Sequence, residues 1–231
     1  MMTSFKIAID GPAGAGKSTV AKQLAKKLGF IYIDTGAMYR AVALNALNEN
    51  QMIDDSKDEV VGEIAQKSVI QLAQTLDGKE QVLLNGVDVT EIIRSPEVTR
   101  LVSSVAKNPQ VRKVLVEQQR KLADNQSVVM DGRDIGTQVF PDAQLKIFLT
   151  ATVKQRAMRR WKELTDQGKQ INLESIEQEI SDRDKMDEER AASPLIPAVD
   201  AIHMDTTNQT IEEVVDELTR LYTEKVQSCT K

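Results

Sequence analysis

Residues 11–18, Gly-Pro-Ala-Gly-Ala-Gly-Lys-Ser, constrain this chain more than any other stretch. They fit G-x-x-x-x-G-K-[ST], with Thr19 next. They lie between a β-branched run, Phe5–Asp10, and a helical pattern with apolar residues at Val20, Ala21, Leu24, Ala25 and Leu28. Strand, glycine loop and helix in that order are the setting in which the pattern is a phosphate-binding loop. Glycines let successive backbone N–H groups curl around one anion, and the helix start adds the positive end of its dipole. Lys17 is expected to bridge the β- and γ-phosphates of ATP, and the Ser18 hydroxyl to ligate Mg²⁺. The bland alternative is a glycine turn that merely caps a helix. A chance match in a chain of this kind is on the order of one in a hundred.

The rest of the pattern predicts how that loop is mounted. Gly29 stands where a helix-ending glycine belongs, a second strand is expected at Phe30–Ile33, and a helix over Gly36–Leu47. That alternation is the mark of a parallel sheet with crossover helices. The middle breaks it. Ser56 opens a helix with capping-box spacing to Glu59, and two strands, Val69–Leu76 and Gln81–Val89, flank Asp77-Gly78-Lys79-Glu80. Ser95-Pro96 and Asn108-Pro109 each set a cap residue before a helix-starting proline. The α/β rhythm returns with strands at Ser127–Met130, Leu145–Leu149 and Ala201–Asp205, and helices from Thr152, from Asn172 and over Ile211–Val226. The expected fold is α/β. A P-loop parallel sheet flanked by helices (1–61 and 126–231) would carry an inserted α+β lobe (62–125) and a helical lid at about 155–190.

Composition narrows the function. A net charge of −5 with 3% aromatic residues opposes a nucleic-acid binder. One cysteine forms no internal disulfide, and no apolar stretch is long enough to span a membrane, so a cytoplasmic protein is expected. Neither N-K-x-D nor D-x-x-G occurs, which counts against a GTPase switch.

The distal half is rich in arginine. Arg156, Arg159 and Arg160 fall on one predicted helix; Arg183, Asp187 and Arg190 are spaced i, i+4, i+7 on the next. Asp166–Gln170 is a polar, glycine-containing turn between them. Alone this would read as a solvated helical hairpin. Beside a phosphate loop it reads as a mobile lid that brings positive charge to a transferring phosphoryl group. Asp131-Gly132-Arg133-Asp134 and Asp34-Thr35-Gly36, followed by Tyr39 and Arg40, each close a strand at the edge where α/β sheets bind ligands. Asp131 is a candidate for a metal-proximal role.

Together the segments IDGPAGAGKST, DTGAMYRAVA, EIIRSPEVTRLVSSVAKNPQVR, DGRDIGTQVFPDA, KIFLTA, RAMRR and RDKMDEERAASPLIPA resemble the bacterial-type cytidylate (CMP/dCMP) kinases, of the nucleoside monophosphate kinase family. They run in order from residue 9 to about 197. The resemblance implies an adenylate-kinase-like fold with an enlarged monophosphate-binding lobe, and transfer of the γ-phosphoryl group of ATP to CMP or dCMP in pyrimidine nucleotide metabolism. It implies that Gly11, Pro12, Ala13, Gly14, Ala15, Gly16, Lys17, Ser18 and Thr19 bind the phosphates of ATP, with Arg156 and Arg160 near its adenine. Thr35, Tyr39 and Arg40 would hold the monophosphate. Ser103, Arg112 and Asp134 would read cytosine, with Ser103 or Ser104 both open and Ser103 chosen by its distance from Arg112. Arg133 would reach the acceptor phosphate, Arg183 and Arg190 would close over the transferring group, and Asp187 would face the acceptor's sugar. A monomer whose partners are small nucleotides, with neither nucleic acid nor membrane, is expected. His203, Trp161 and the scattered methionines Met38, Met130, Met158, Met186 and Met204 read as structural, and Cys229 as a bystander thiol. The rival readings are another small-molecule P-loop kinase and a nucleotide-binding regulatory module without turnover.

Overall fold

The computed structural model describes residues 4–49, 58–75, 80–166 and 168–229. Ser56, the 77–79 part of the expected hairpin and Gln167 of the expected hinge lie outside them. The chain divides into two compact units, 1–32 with 123–231, and 33–122.

The first unit is built on a five-stranded sheet of β1 (Lys6–Asp10), β2 (Ile31–Asp34), β6 (Val128–Asp131), β7 (Leu145–Thr150) and β8 (Ile202–Asp205), in the order β2-β6-β1-β7-β8. β1 pairs in parallel with β6 and β7, and β7 with β8. The central strands are near-continuous runs of apolar residues because both faces are covered. Ile7, Ile9, Val129, Leu145, Ile147 and Leu149 form one core with Val20, Ala21 and Leu24 of α1 (Lys17–Leu28) and Val214, Val215 and Leu218 of α8 (Ile211–Cys229). Gly29 ends α1 in the left-handed region, as expected. Two further helices, α6 (Val153–Asp166) and α7 (Leu173–Glu189), form a hairpin with a small core of Ala157, Leu164, Ile176 and Ile180. Asn172 caps α7 by accepting from Glu174 N. Trp161 bonds across the turn, its indole N–H donating to Ile171 O at 3.1 Å.

The second unit collects α2 (Thr35–Asn48), α3 (Asp58–Lys67), α4 (Pro96–Lys107) and α5 (Pro109–Leu122) around a three-stranded antiparallel sheet, β3 (Ile70–Gln74), β4 (Glu80–Leu84) and β5 (Val87–Asp88). Its start differs from the expected residue 62. α2 is apolar nearly all round, so it is buried on all sides; Met38, Ala41, Val42 and Leu44 pack with Val61, Val98, Val102 and Leu115 in this unit's core. The expected single strand Gln81–Val89 is two strands. Asn85 and Gly86 both have positive φ, 52° and 83°, the geometry of a two-residue hairpin loop, and Leu84 pairs with Val87 across it. Ser95 and Asn108 cap α4 and α5 as expected, with Asn108 Oδ1 accepting from Gln110 N and Val111 N.

Candidate active site

In the first unit the loop between β1 and α1 takes the shape its glycines permit. A Cβ on Gly11 would lie 2.0 Å from Leu149 O, so no other residue fits there. Gly16 starts α1 at φ 89°. Lys17 is 5% exposed, and its Nζ donates to Pro12 O at 2.7 Å. Ser18 Oγ donates to Asp131 Oδ2 at 2.8 Å, and Tyr32 Oη donates to Asp131 Oδ1 at 2.8 Å. Asp131, the last residue of β6, is thus set against the loop. A hydroxyl and an oriented carboxylate are the hard oxygen donors that Mg²⁺ takes alongside substrate phosphates, so these residues fit that ion.

Cations converge on the same place. Burial, with the Arg133 guanidinium next in importance, pushes the Lys17 ammonium well below its usual pKa; Arg183 adds to this, and Asp131 and Asp187 oppose it. Burial and Arg133 push Arg183 down in the same way. The buried Nε of Arg183 has no hydrogen-bond partner among the described residues. Arg133 Nε donates to Asp187 Oδ2 at 2.9 Å, and Arg190 Nη2 lies 4.0 Å from Asp134 Oδ1. Arg190 falls just beyond α7, its backbone extended, so the expected single helix face holds for Arg183 and Asp187 but not for Arg190.

The α6 arginines are used differently from one another. Arg156 is buried, with Nε donating to Ala151 O and Nη1 to Ala13 O, both at 2.9 Å, while Nη2 pairs with Asp184 Oδ2 at 2.6 Å. It braces the phosphate loop against α7. Arg160 pairs with Glu163 on the surface of its own helix. Arg159 is the one whose Nη1 would lie 3.8 Å from a Cβ on Gly16, and it also reaches Thr206. Helix phase explains the difference: one residue turns a side chain through about 100°, and sequence spacing alone did not select 159 over 160.

The second unit gathers its own candidates. Asp34 accepts from Ala37 N and starts α2, placing Thr35 in the first turn, and Arg94 Nη2 lies 3.5 Å from Asp34 Oδ2. Arg40 donates to Thr99 Oγ1 at 2.8 Å and Ile93 O at 3.3 Å. Arg112 sits over the Tyr39 ring, 5.5 Å from its centroid, and donates to Ala106 O at 3.0 Å. Ser103 and Arg112 are both buried. Arg94 and Thr99 were not singled out from the sequence; their contacts with Asp34 and Arg40 depend on how α4 and the turn before it pack on α2.

A parallel sheet with a phosphate loop at the end of β1 and a cluster of lysine and arginine around it defines a P-loop kinase. A solved gluconokinase from Sinorhizobium meliloti 1021 shares this fold, with a TM-score of 0.50 at 14% identity over 99% of each chain. The family model for cytidylate kinase matches residues 7–224, and the chain belongs to that family. A cytidylate kinase of Desulfitobacterium hafniense (strain Y51) is 52% identical over 228 residues, covering 99% of this chain and 97% of that one. One from Desulforamulus reducens (strain ATCC BAA-1160 / DSM 100696 / MI-1) is 55% identical over 94% of this chain and 96% of its own. One from Bacillus subtilis (strain 168) is 50% identical with the same coverage. The membership makes the chain an ATP-dependent nucleoside monophosphate kinase, which removes the regulatory-module reading. No helix among the described residues is long and apolar enough to cross a membrane.

Proposed function

We propose that this enzyme transfers the γ-phosphoryl group of ATP to CMP or dCMP, giving ADP and CDP or dCDP, and that Mg²⁺ accompanies the ATP. The observation that carries the reading is the crowding of Arg133 and Arg183 around the buried Lys17, where burial and these two guanidinium groups push the ammonium well below its usual pKa. Such a cluster is costly until a polyanion arrives, and a triphosphate beside a monophosphate supplies that charge.

The acceptor is already an anion near neutral pH, so no general base is needed. Catalysis is then positioning and charge neutralisation. Residues 11–19 hold the donor phosphates through backbone N–H groups and Lys17. Ser18 and Asp131 would hold the ion, which supplies further neutralisation of the β- and γ-oxygens when bound. Arg133, Arg183 and Arg190 would lie on the phosphoryl groups as acceptor and donor meet, and α6–α7 would act as the lid that keeps water out. Of the expected adenine contacts, Arg156 would act indirectly, through Ala13 and Asp184, and the position of Arg159 supports it in place of Arg160.

In the second unit Thr35, Tyr39 and Arg40 would take the acceptor, with Arg40 on its phosphate. Ser103 and Arg112 offer donors suited to the ring nitrogen and carbonyl of cytosine; Asp134, which belongs to the first unit, would supply an acceptor suited to its exocyclic amine. Uracil carries a carbonyl where cytosine carries the amine, so Asp134 would repel it, and an unpaired polar site discriminates by orders of magnitude. The reading also takes the enzyme to be a cytoplasmic monomer, and its single cysteine fits a reducing compartment.

ADP release from Mg²⁺–ATP should be measured across CMP, dCMP, UMP, AMP, GMP and shikimate. CMP and dCMP leading by a wide margin is the expected result. Equal release with AMP or shikimate would give the site to another acceptor. Asp134→Ala should collapse the CMP:UMP ratio of kcat/KM; an unchanged ratio would show that Asp134 is not the reader.

A further inference from the structure

Asp10 is the last residue of β1 and lies just outside the phosphate-loop pattern. Nothing in the mechanism above uses it. It is 4% exposed, a carboxylate at the end of a strand whose neighbours Ile7, Ala8 and Ile9 are fully apolar and buried. Burying a carboxylate is unfavourable by several kcal/mol unless its oxygens are well paired, so its partners carry the explanation.

Those partners are two successive peptide N–H groups of one turn. Ile135 N donates to Oδ1 at 2.8 Å and Gly136 N donates to Oδ2 at 2.7 Å. The first belongs to the peptide bond that leaves Asp134, so the grip is one bond from the Asp134 carbonyl carbon. A carboxylate that takes two consecutive amides fixes the orientation of both peptide planes. The turn continues through Ile135–Val139 with wide hydrogen bonds, Phe140 N donating to Ile135 O at 2.7 Å and Val139 N to Asp134 O at 3.3 Å.

The far side of the turn is held as well. A Cβ on Gly136 would lie 3.3 Å from Asp10 Oδ2 and 3.2 Å from Lys146 Cδ, so the glycine is sandwiched between the two side chains. Lys146, buried on the neighbouring strand β7, donates to Pro141 O and pairs with Asp200 at 2.9 Å. An anion on β1 thus holds N–H groups of this segment, and a cation on β7 holds a carbonyl of it. An apolar side chain at position 10 would fill the same space without the burial penalty, but it could hold neither amide.

We propose that Asp10 is a positioning residue for acceptor recognition: by holding the Ile135 and Gly136 N–H groups it sets the place of the Asp134 carboxylate, and with it the choice between pyrimidine acceptors. The proposal rests on the reading of Asp134 given above.

Asp10→Asn keeps the shape and puts an NH₂ where one accepting oxygen met an N–H. Steady-state kinetics with CMP and with UMP at saturating ATP, and with ATP at saturating CMP, provide the test. The expected result is a CMP:UMP ratio of kcat/KM lowered roughly tenfold, the size of one lost buried hydrogen bond, carried by KM for CMP, with KM for ATP little changed. Gly136→Ala disturbs the same contact from the other partner, should lower the ratio in the same direction, and decides the matter if Asp10→Asn does not fold. A merely structural Asp10 would lower the melting temperature and the rate with both acceptors equally; a wild-type ratio in a folded variant overturns the proposal. A wild-type enzyme with no preference for CMP over UMP would instead overturn the functional reading beneath it.

Discussion

Arg133 and Asp187 form an ion pair at 2.9 Å that ties the turn after β6 to the last turns of α7. Arg133 is only partly exposed and Asp187 is almost fully buried, so the pair is largely removed from water. It separates two of the cations that crowd Lys17 by placing a carboxylate among them. Burial alone pushes the Asp187 carboxyl up, but Arg133 and Arg183 outweigh it and hold the group below the usual carboxylate range.

Asp187→Asn should therefore destabilise the enzyme at neutral pH, by about 3 kcal/mol if the pair behaves like other buried ones. A carboxylate with a lowered folded-state pKa contributes stability that is present above its unfolded pKa and lost as pH falls through the folded one. The difference between wild type and variant in urea should then shrink on acidification below about pH 4. The variant takes the paired carboxylate from Arg133 and a nearby negative charge from Lys17 and Arg183, so triphosphate should raise its melting temperature more than that of the wild type. Equal shifts in both would refute the role given to Asp187.

Lys17→Met removes the ammonium that faces the donor phosphates and relieves a buried cation. Turnover should fall roughly a hundred- to a thousand-fold, while the circular dichroism spectrum and melting temperature hold. Near-normal turnover would remove Lys17 from the chemistry.

Asp10 gives the opposite pH behaviour. Burial raises its carboxyl from 3.8 to about 6, against the pull of the Gly136 and Ile135 amides; Asp134 adds to the rise and Lys17 opposes it. With the folded-state value raised, the folded protein binds the proton more tightly, so stability from this group is fullest below the unfolded pKa and is lost as pH rises through about 6. The span is worth about 3 kcal/mol at 1.36 per pH unit. Urea denaturation of wild type and Asp10→Asn from pH 4 to 7 should show the wild type losing ground to the variant as pH rises. Parallel curves would be inconsistent with a raised carboxyl.

Gly86→Ala forces a side chain into the left-handed region at φ 83°, with open space around it. The cost is backbone strain alone, about 1–2 kcal/mol, read as a lower urea midpoint. Its kcat and KM values should match the wild type, because the β4–β5 loop holds none of the proposed site residues.

The parts of the molecule legible from sequence are those whose cause is local. The loop at 11–18 is a contiguous pattern, and Gly29, Ser95, Asn108 and Asn172 announce helix ends within a few residues of the groups they satisfy. The Asn85-Gly86 hairpin is equally local, but the apolar pattern of Gln81–Val89 also fits one continuous strand and hides it. What was not legible depends on distant partners. Asp10 meets its amides 125 and 126 residues away. Nothing near Arg159 tells that it, and not Arg160, lies by the loop. α2 looked like a crossover helix of the sheet, and only its packing with α3, α4 and α5 assigns it to the second unit. The tertiary environment decides each of these, and periodicity in one segment carries no record of it.

The Arg156–Asp184 pair has a kinetic implication. Asp184 is carried by α7, whereas Arg156 is bonded to Ala13 of the phosphate loop. Any movement of α7 that parts the two withdraws a carboxylate from the neighbourhood of the donor phosphates and leaves a guanidinium there without its counter-ion. The open form then attracts an incoming triphosphate more strongly than the closed form does, and return of the carboxylate weakens that attraction as the lid shuts. Capture of nucleotide would thus be tuned by one negative charge carried on the proposed lid, which favours loading before closure.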